Sequence, residues 1–213
     1  GAGVNGAGVF RDCSLQGLEV LLVDKGDYCS GASSAPSRMI HGGLRYLENG
    51  EFSLVSESLL ERNNLLLNAM HYVKPLPTTI PLFHKYSGFF NAIKTFFGLK
   101  ASPSARGSLI VKVGLSLYDF FARRKSILPN HLFLNKEQSL LKWDKLNANI
   151  INTATYYDAW IAYPERLVLE LVQDAEKGEN ALALNYVEVS ERVDSELVLI
   201  DTLTQNKYKV KPD

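Results

Sequence analysis

The feature that most constrains this 213-residue chain is its opening, GAGVNG, in which Gly1, Gly3 and Gly6 spell the pattern G-x-G-x-x-G. In that pattern the first glycine permits a tight turn, the second lets a pyrophosphate approach the backbone, and the third allows a helix to pack closely. We interpret residues 5–16 as that helix, ended by Gly17 in the left-handed conformation. The opening therefore predicts a Rossmann-like α/β domain that binds a dinucleotide.

An acidic residue follows at the spacing that such a domain uses. Residues 19–24, EVLLVD, form a short apolar run typical of a buried parallel strand, and the run ends in Asp24. A carboxylate about 20 residues beyond the glycines binds the hydroxyls of the adenosine ribose. Asp24 disfavours the 2′-phosphate of NADP, whereas the adjacent Lys25 would favour it. The alternative is a glycine-rich turn that only packs a helix.

The pattern also predicts an element that is not present, because a strand normally leads into the first glycine and nothing precedes Gly1. We therefore expect a fragment whose first strand is missing and whose dinucleotide-binding domain is truncated at both ends. Open strand edges invite aggregation. We expect the isolated fragment to aggregate, to retain little cofactor and to be inactive.

Composition excludes several classes of function. Hydrophobic residues make up 46% and charged residues 22%, as in ordinary soluble domains, and 23 basic residues balance 23 acidic ones. That balance argues against a nucleic-acid partner. The cysteines, Cys13 and Cys29, lack the spacing of a zinc site or a disulfide framework, so we expect no metal and a reducing, cytoplasmic setting.

Two further blocks identify a family. Residues 30–34 read SGASS and residues 40–48 read IHGGLRYLE, and the segments GLSLYDFFARRKSILP and YYDAW follow in order. With these blocks the chain resembles the FAD-dependent glycerol-3-phosphate dehydrogenases and the related α-glycerophosphate oxidases. The chain departs from the family at Phe10, Gln16 and Arg38, where the family has alanine, arginine and lysine. It also has IAYPER at 161–166, where the family has V-D-D-A-R.

The resemblance implies a flavoenzyme that uses FAD to oxidise sn-glycerol 3-phosphate to dihydroxyacetone phosphate and passes the electrons to a quinone. Three alternatives remain open at this point. The first is an oxygen-using α-glycerophosphate oxidase, and the second is a non-catalytic fragment of a cofactor-binding module. The third is a related FAD oxidase that acts on an amino acid or another polyol.

Several residues are candidates for binding the cofactor or the substrate. Hydroxyls in the loop that holds Ser33 and Ser34 suit phosphate or ribityl oxygens, although the same residues suit a solvated turn. Consecutive glycines let a flat ring lie against the backbone, and the neighbouring histidine is either a flavin-side group or a structural one. The residues of this second block are His41, Gly42 and Gly43.

The next two residues are candidates for the substrate. Arg45 offers a fixed fork for phosphate and Tyr46 a hydroxyl, so the pair could hold a small phosphorylated alcohol. The alternative for Arg45 is an ion pair with Glu48 or Glu51. The resemblance further implies a backbone contact with adenine near Val189, and no general base is assigned.

The chain also suggests a division into domains. We assign 1–75 and 150–213 to the FAD-binding domain and 76–149 to part of an inserted substrate-side (cap) layer. A long helix is predicted over 52–72, with a buried stripe of leucine and valine at positions 54, 55, 59, 60, 65, 66 and 67. A strand is predicted over 181–189 and a hairpin over 197–210.

One window is strongly basic. Residues 84–125 carry eight lysine or arginine side chains against the single acid Asp119, and three Phe-Phe pairs are interleaved with them. This pattern fits either a helix lying on a membrane surface or an ordinary cap helix with solvated charges. The first reading would place the protein peripherally on the cytoplasmic face of the inner membrane, or in mitochondria in a eukaryote.

Overall fold

The computed structural model describes residues 1–87, 107–123 and 127–212, apart from the side chains of Arg45 and Glu48. The described helices are α1 (Val4–Leu15), α2 (Leu44–Glu48), α3 (Phe52–Asn68), α4 (Ser108–Ala122), α5 (Lys136–Lys142) and α6 (Pro164–Ala175), with a 3₁₀ turn at Ala32–Ser34. The strands are β1 (Val20–Val23), β2 (Met39–Ile40), β3 (Val73–Leu82), β4 (Leu132–Asn135), β5 (Asn152–Ile161), β6 (Ala181–Leu184), β7 (Val187–Val193), β8 (Glu196–Asp201) and β9 (Lys207–Val210).

The chain forms two compact units. Unit 1 combines Gly1–Arg38 with Ala162–Asp213, and unit 2 is Met39–Ile161. Residues 39–75 and 150–161, which the sequence assigned to the FAD-binding domain, lie in unit 2. Compactness alone does not say which residues hold a cofactor, so the assignment of domains by function stays a prediction.

Unit 1 contains the parallel strands and helices of the predicted Rossmann-like domain. Strands β1 and β6 are parallel, with Val20 opposite Ala181 and Val23 opposite Leu184. Helices α1 and α6 pack together on this pair, and their contact buries Phe10. Phe10 is 1% exposed, so the side chain that replaces the family's alanine is part of the core.

The ends of the helices in unit 1 follow local rules. Gly17 lies at φ +81 just beyond α1, in the left-handed region that glycine adopts without strain. Pro164 is the first residue of α6, where its missing N–H costs nothing. The strand predicted over 181–189 is divided into β6 and β7. Tyr186, at φ +57, lies in the break between them.

Unit 1 also has an antiparallel sheet of order β7-β8-β9. The predicted hairpin is present as β8 and β9, with Leu197 opposite Val210. Strand β7 pairs with β8 on the other side, and a register shift lies between Val189 and Glu191.

Unit 2 is built around β5, which pairs antiparallel with β2, β3 and β4. Strand β3 pairs along its whole length with β5 and carries prolines at positions 75, 77 and 81. Proline cannot donate a hydrogen bond to a sheet, so a strand with this many prolines is suited to an edge. Among the described strands, β3 pairs only with β5, in agreement with that rule.

The buried face of α3 differs from the predicted stripe. Val55, Leu59 and Leu66 are buried as expected, but Leu54, Leu60 and Leu67 are 42%, 39% and 46% exposed. The helix ends at Asn68, before the predicted residue 72, and two polar residues take the remaining core-facing positions. These are Arg62 and Asn63, which are 1% and 2% exposed.

Candidate functional site

The glycine loop of unit 1 is shaped by close backbone approach at the start of α1. Gly3 has an extended conformation and precedes Val4, the first residue of the helix. A Cβ atom on Gly6 would overlap the carbonyl oxygen of Gly1. The third glycine of the pattern is therefore required by the loop's own backbone, whatever the loop binds.

Asp24 supports this loop from the end of β1. Its Oδ2 atom accepts a hydrogen bond from the Ala2 amide at 2.6 Å, and its Oδ1 atom accepts one from the Gly26 amide at 2.9 Å. A carboxylate offers about four lone-pair positions. Two of them remain for other donors, such as the hydroxyls of a ribose.

The 3₁₀ turn lies on the other side of the loop. The Val4 amide donates to Ser33 Oγ at 3.0 Å, and a Cβ on Gly3 would lie 3.1 Å from the same oxygen. Ser34 instead donates its hydroxyl to the Gly31 carbonyl at 2.8 Å, within its own turn. The structure thus brings Ser33 to the glycine loop and turns the hydroxyl of Ser34 elsewhere.

The remaining candidates of unit 1 are Lys25, which follows β1, and Val189, which belongs to the neighbouring strand β7. Lys25 is exposed, and its carbonyl accepts a hydrogen bond from the Thr202 hydroxyl at 3.3 Å. Val189 lies on β7 opposite Leu199 and is 45% exposed. Strand β7 begins beside Asp24, because the Val187 amide donates to the Asp24 carbonyl at 2.8 Å.

These features fit the diphosphate and ribose of a dinucleotide. The first amides of a helix have no acceptor within the helix and carry its positive dipole, so they attract an anion. In α1 these amides follow glycines that keep side chains out of the approach. The groove along α1 and β1 is less polar than the start of the helix. Most of its lining is apolar, namely the side chains of Val9, Phe10, Val20, Leu21 and Leu22.

The glycine turn, residues 41–43, is the candidate site of unit 2. Gly43 lies at φ +80 directly before α2, in the region where other residues are strained. A Cβ there would lie 2.9 Å from the Tyr46 ring. The rings of His41 and Tyr46 meet edge to face with their centroids 6.2 Å apart, so the turn brings these two candidates together. Arg45 lies in α2, but its side chain is outside the described residues.

Gly42 is held by a buried carboxylate. Its amide donates to Asp158 Oδ1 at 2.9 Å. The same oxygen accepts from Tyr118 Oη at 2.8 Å and lies 3.3 Å from Arg62 Nη1. Asp158 belongs to β5, Tyr118 to α4 and Arg62 to α3, so three elements converge behind the glycine turn.

The network carries a buried ion pair. The side chains of Arg62 and Asp158 are each 2% exposed. Burial, and then the negative charge of Asp158, raise the pKa of the Tyr118 phenol far above its usual value. Tyr118 therefore stays protonated and remains a hydrogen-bond donor at every physiological pH.

Sequence reasoning missed these three residues, although two signals were available. Arg62 falls on the helical spacing of Val55, Leu59 and Leu66, the stripe that faces the core. Asp158 stands inside the β-strand run TATYYDAWI, where a lone carboxylate needs a partner. Each signal indicates a buried charge, but neither says which residue pairs with it.

No helix in the described part of the chain is both long and apolar enough to cross a bilayer. Part of the basic window, 88–106 and 124–125, lies outside the described residues. The described part of that window includes α4, in which Leu109, Val113, Leu117 and Phe120 are 41%, 54%, 41% and 62% exposed.

Comparisons with known proteins agree on the class of chain. The chain is 38% identical over 217 residues to the glycerol-3-phosphate dehydrogenase of Synechocystis sp., an alignment covering 99% of this chain and 36% of the relative. It is 37% identical to the D-erythritol 1-phosphate dehydrogenase of Brucella abortus, over 85% of this chain and 32% of the relative. The chain thus spans about a third of the length of these curated relatives.

A solved structure shares the fold. The glycerol-3-phosphate dehydrogenase from Bacillus halodurans, solved in complex with FAD, aligns with a TM-score of 0.59 and 21% identity, over 99% of this chain and 31% of that one. Residues 1–207 match the family described as FAD dependent oxidoreductase, so most of the chain, with both candidate sites, falls within the match. The fold is thus that of a Rossmann-like FAD-binding domain, and the chain belongs to the family of FAD-dependent oxidoreductases.

Proposed function

We propose that the protein oxidises sn-glycerol 3-phosphate to dihydroxyacetone phosphate, with FAD as the immediate electron acceptor and a quinone as the final one. The observation that carries this proposal is the match to the Synechocystis sp. glycerol-3-phosphate dehydrogenase over 99% of the chain. The HGGLRYLE block, which forms the glycine turn and α2, lies within it.

A second substrate has support of its own. The relative from Brucella abortus is named for D-erythritol 1-phosphate and is 37% identical. Both names describe a polyol that carries a terminal phosphate. The shared chemistry is therefore oxidation of a secondary alcohol in a phosphorylated polyol, and the length of the polyol is the variable that the test must resolve.

In unit 1 we assign the ADP half of FAD to the glycine loop. Gly1, Gly3 and Gly6 would leave room for the pyrophosphate at the start of α1, and Asp24 would accept hydrogen bonds from the ribose hydroxyls. Ser33 would donate to a phosphate or ribityl oxygen, whereas Ser34, whose hydroxyl donates to the Gly31 carbonyl, could only accept a hydrogen bond through that hydroxyl at the same site. Lys25 and the backbone at Val189 would lie beside the adenosine.

In unit 2 we assign the flavin-side and substrate contacts to the glycine turn and to α2. Gly42 and Gly43 would contact the flat ring through their backbone, because the positions that their Cβ atoms would take are already filled by neighbouring side chains, Tyr118 at Gly42 and Tyr46 at Gly43. His41 would lie at the flavin side. Arg45 and Tyr46 would bind the phosphate and a hydroxyl of the substrate.

The reaction removes two electrons and two protons from the substrate. A hydride leaves the carbon that bears the secondary hydroxyl, and the hydroxyl proton leaves as the C=O bond forms. Bound FAD supplies the two-electron acceptor. Residues of this chain would hold the substrate phosphate and would offer backbone to the flavin ring, and no residue of this chain is assigned as the general base.

The domain assignment and the cellular location belong to the same proposal. We assign 1–75 and 150–213 to FAD binding and 76–149 to the substrate side. The protein would act in the cytoplasm or peripherally on the cytoplasmic face of the inner membrane, or in mitochondria in a eukaryote. The basic window 84–125 would supply the membrane contact that a quinone acceptor requires.

The direct test uses the complete polypeptide that carries this chain. Purified protein should show the absorption of bound flavin and should reduce a dye with sn-glycerol 3-phosphate but not with free glycerol. Faster reduction with D-erythritol 1-phosphate would select the longer polyol. Rapid oxygen consumption without a quinone would select the oxidase chemistry instead. Flavin-free protein that binds NAD saturably would overturn the proposal.

Arg45→Ala tests the substrate side. A guanidinium contributes charge-assisted hydrogen bonds to a phosphate, so its loss should raise KM about tenfold or more, with little change in flavin content. Arg45→Lys keeps the charge without the fork and should fall between Arg45→Ala and the unaltered protein. Normal KM with lost flavin in Arg45→Ala would move this residue to the cofactor.

A further inference from the structure

We propose that Asp158 is a positioning residue for the glycine turn, residues 41–43. It acts through the Gly42 amide and is held in place by Arg62 and Tyr118. This inference rests on the proposed function only where it assigns the turn to flavin. The positioning itself rests on contacts within unit 2, and nothing in the sequence motifs assigns such a role to Asp158.

The first argument is the convergence on one oxygen. Asp158 Oδ1 accepts from the Gly42 amide at 2.9 Å and from Tyr118 Oη at 2.8 Å, with Arg62 Nη1 at 3.3 Å. The oxygen cannot shift toward one donor without weakening the others. The Gly42 amide is therefore fixed to a point that β5, α3 and α4 define together.

The second argument is that Arg62 is itself fixed. Its Nη1 atom also donates to Tyr118 Oη and to the Tyr157 carbonyl, each at 2.9 Å. Its Nε and Nη2 atoms donate to Asn63 Oδ1 at 3.2 Å and 3.0 Å. A buried guanidinium whose three nitrogens all have hydrogen-bond partners has little freedom, so it holds the carboxylate as a rigid support.

The third argument is space. A Cβ on Gly42 would overlap Tyr118 Oη and lie 2.5 Å from Leu59 Cδ2 and 2.9 Å from Arg62 Nη1. The network thus packs against Gly42 and fills the space on the side where a side chain would lie. Gly43 then follows at φ +80, so the direction of the next peptide is set as well.

The fourth argument is cost. Burying a carboxylate and a guanidinium is expensive unless both are fully hydrogen-bonded, and an apolar pair of the same volume would often be no less stable. A buried ion pair is thus poor evidence that the residues are there to stabilise the fold. Its contact with the backbone of the glycine turn indicates that it fixes the position of that turn.

The test measures hydrogen exchange at the turn and the absorption of bound flavin in the complete polypeptide. Asp158→Ala removes the acceptor. Asp158→Asn keeps its shape and removes its charge, so it keeps the test open if the alanine variant does not fold. Ser139→Ala is the matched control, because Ser139 is equally buried in unit 2 and bonds Thr153 at 2.9 Å, away from the glycine turn.

We expect the rate of hydrogen exchange at the Gly42 amide to rise about tenfold or more in Asp158→Ala, and to rise less in Asp158→Asn. The rate is measured in a proteolytic peptide that begins before Met39, so that the label on Gly42 is retained. Both variants should also shift the flavin absorption, whereas Ser139→Ala should change neither. Unchanged exchange in both Asp158 variants, or an equal rise in Ser139→Ala, would overturn the inference. Faster exchange with unaltered flavin absorption and affinity would overturn its link to the cofactor.

These outcomes are separate from those of the proposed function. The exchange measurement needs no substrate, and the absorption measurement needs only bound flavin. A protein that binds FAD but fails to oxidise either polyol phosphate would contradict the proposed function. The Asp158 variants would still support or overturn the positioning role by the criteria above.

Discussion

The glycine loop of unit 1 and the glycine turn of unit 2 are supported by opposite means. The loop is held by Asp24 and Ser33, which are only partly buried and lie near it on the surface. The turn is held by the buried residues Arg62, Tyr118 and Asp158. A support that is open to solvent keeps lone pairs for a ligand, whereas a buried support uses its groups to fix the backbone.

The comparison shows why the supporting residues of the glycine loop can be predicted from the sequence, whereas those of the glycine turn cannot. In the loop the glycines, the helix and the acid occur within 24 consecutive residues, so spacing alone brings them together. The turn depends on partners that are up to 116 positions away. Different experiments should therefore disturb the two sites to different degrees.

The largest effect should come from removing a buried charge. Arg62→Met leaves Asp158 buried without its counter-ion, which should lower the free energy of unfolding by about 3–5 kcal/mol. Arg11→Met is the matched control, because Arg11 pairs with Asp174 at a surface where the side chains are 39% and 34% exposed. Denaturant unfolding measures both, and equal losses would contradict the distinction between buried and exposed support.

The next effect should be on cofactor affinity. Asp24→Ala should weaken FAD binding in the complete polypeptide by about 1.5–3 kcal/mol, the range for a hydrogen bond to a charged group. Flavin fluorescence titration measures the affinity, and Asp27→Ala is a neighbouring control with an exposed carboxylate. Unchanged affinity in Asp24→Ala would mean that the ribose is bound elsewhere.

A pair of glycine substitutions compares crowded with open backbone inside unit 2. Gly42→Ala places a methyl group against Tyr118, Leu59 and Arg62 and should cost about 1–3 kcal/mol of folding stability. Gly114→Ala lies within α4 with no atom within 4 Å of the added Cβ, and it should stabilise the helix by about 0.5–1 kcal/mol. Thermal unfolding should move the two melting temperatures in opposite directions.

The smallest effect should come from the surface pair of unit 1. Hydrogen bonds from Lys177 and Arg11 hold the pKa of Asp174 below its usual value. The carboxylate therefore adds stability at neutral pH, and this contribution is lost as the pH falls below the ordinary Asp value toward the lowered one. Asp174→Asn should cost no more than about 1 kcal/mol at pH 7. A loss that persists unchanged in acid or in high salt would contradict this account.

The sequence predicts the local elements well because each is encoded over a short stretch. The GxGxxG helix, the strand ending in Asp24, the helix that begins at Pro164 and the β8–β9 hairpin are all present. The Rossmann-like class, predicted from the glycine opening, is confirmed, and so are the family and FAD, predicted from the resemblance that the HGGLRYLE block carries. The roles assigned to individual site residues stay predictions.

The sequence fails where burial depends on distant partners. Leu54, Leu60 and Leu67 were expected in the core because helix periodicity counts apolar residues, but the face that packs inward is the one carrying Arg62. Helical spacing can show that an arginine faces the core. Only the tertiary structure shows that Asp158 and Tyr118 lie there to receive it.

The division of unit 1 into two distant stretches of chain has a consequence for its folding. Strand β1 pairs with β6, and the Asn180 side chain bonds the Leu18 carbonyl across 162 positions. During synthesis at about 5–20 residues per second, β1 would wait roughly 8–32 s for its partner. All of Met39–Ile161 emerges from the ribosome in that interval and is free to fold first. The glycine loop, although translated before unit 2, would then acquire its native neighbours from β6 and α6 only after all of unit 2 has emerged.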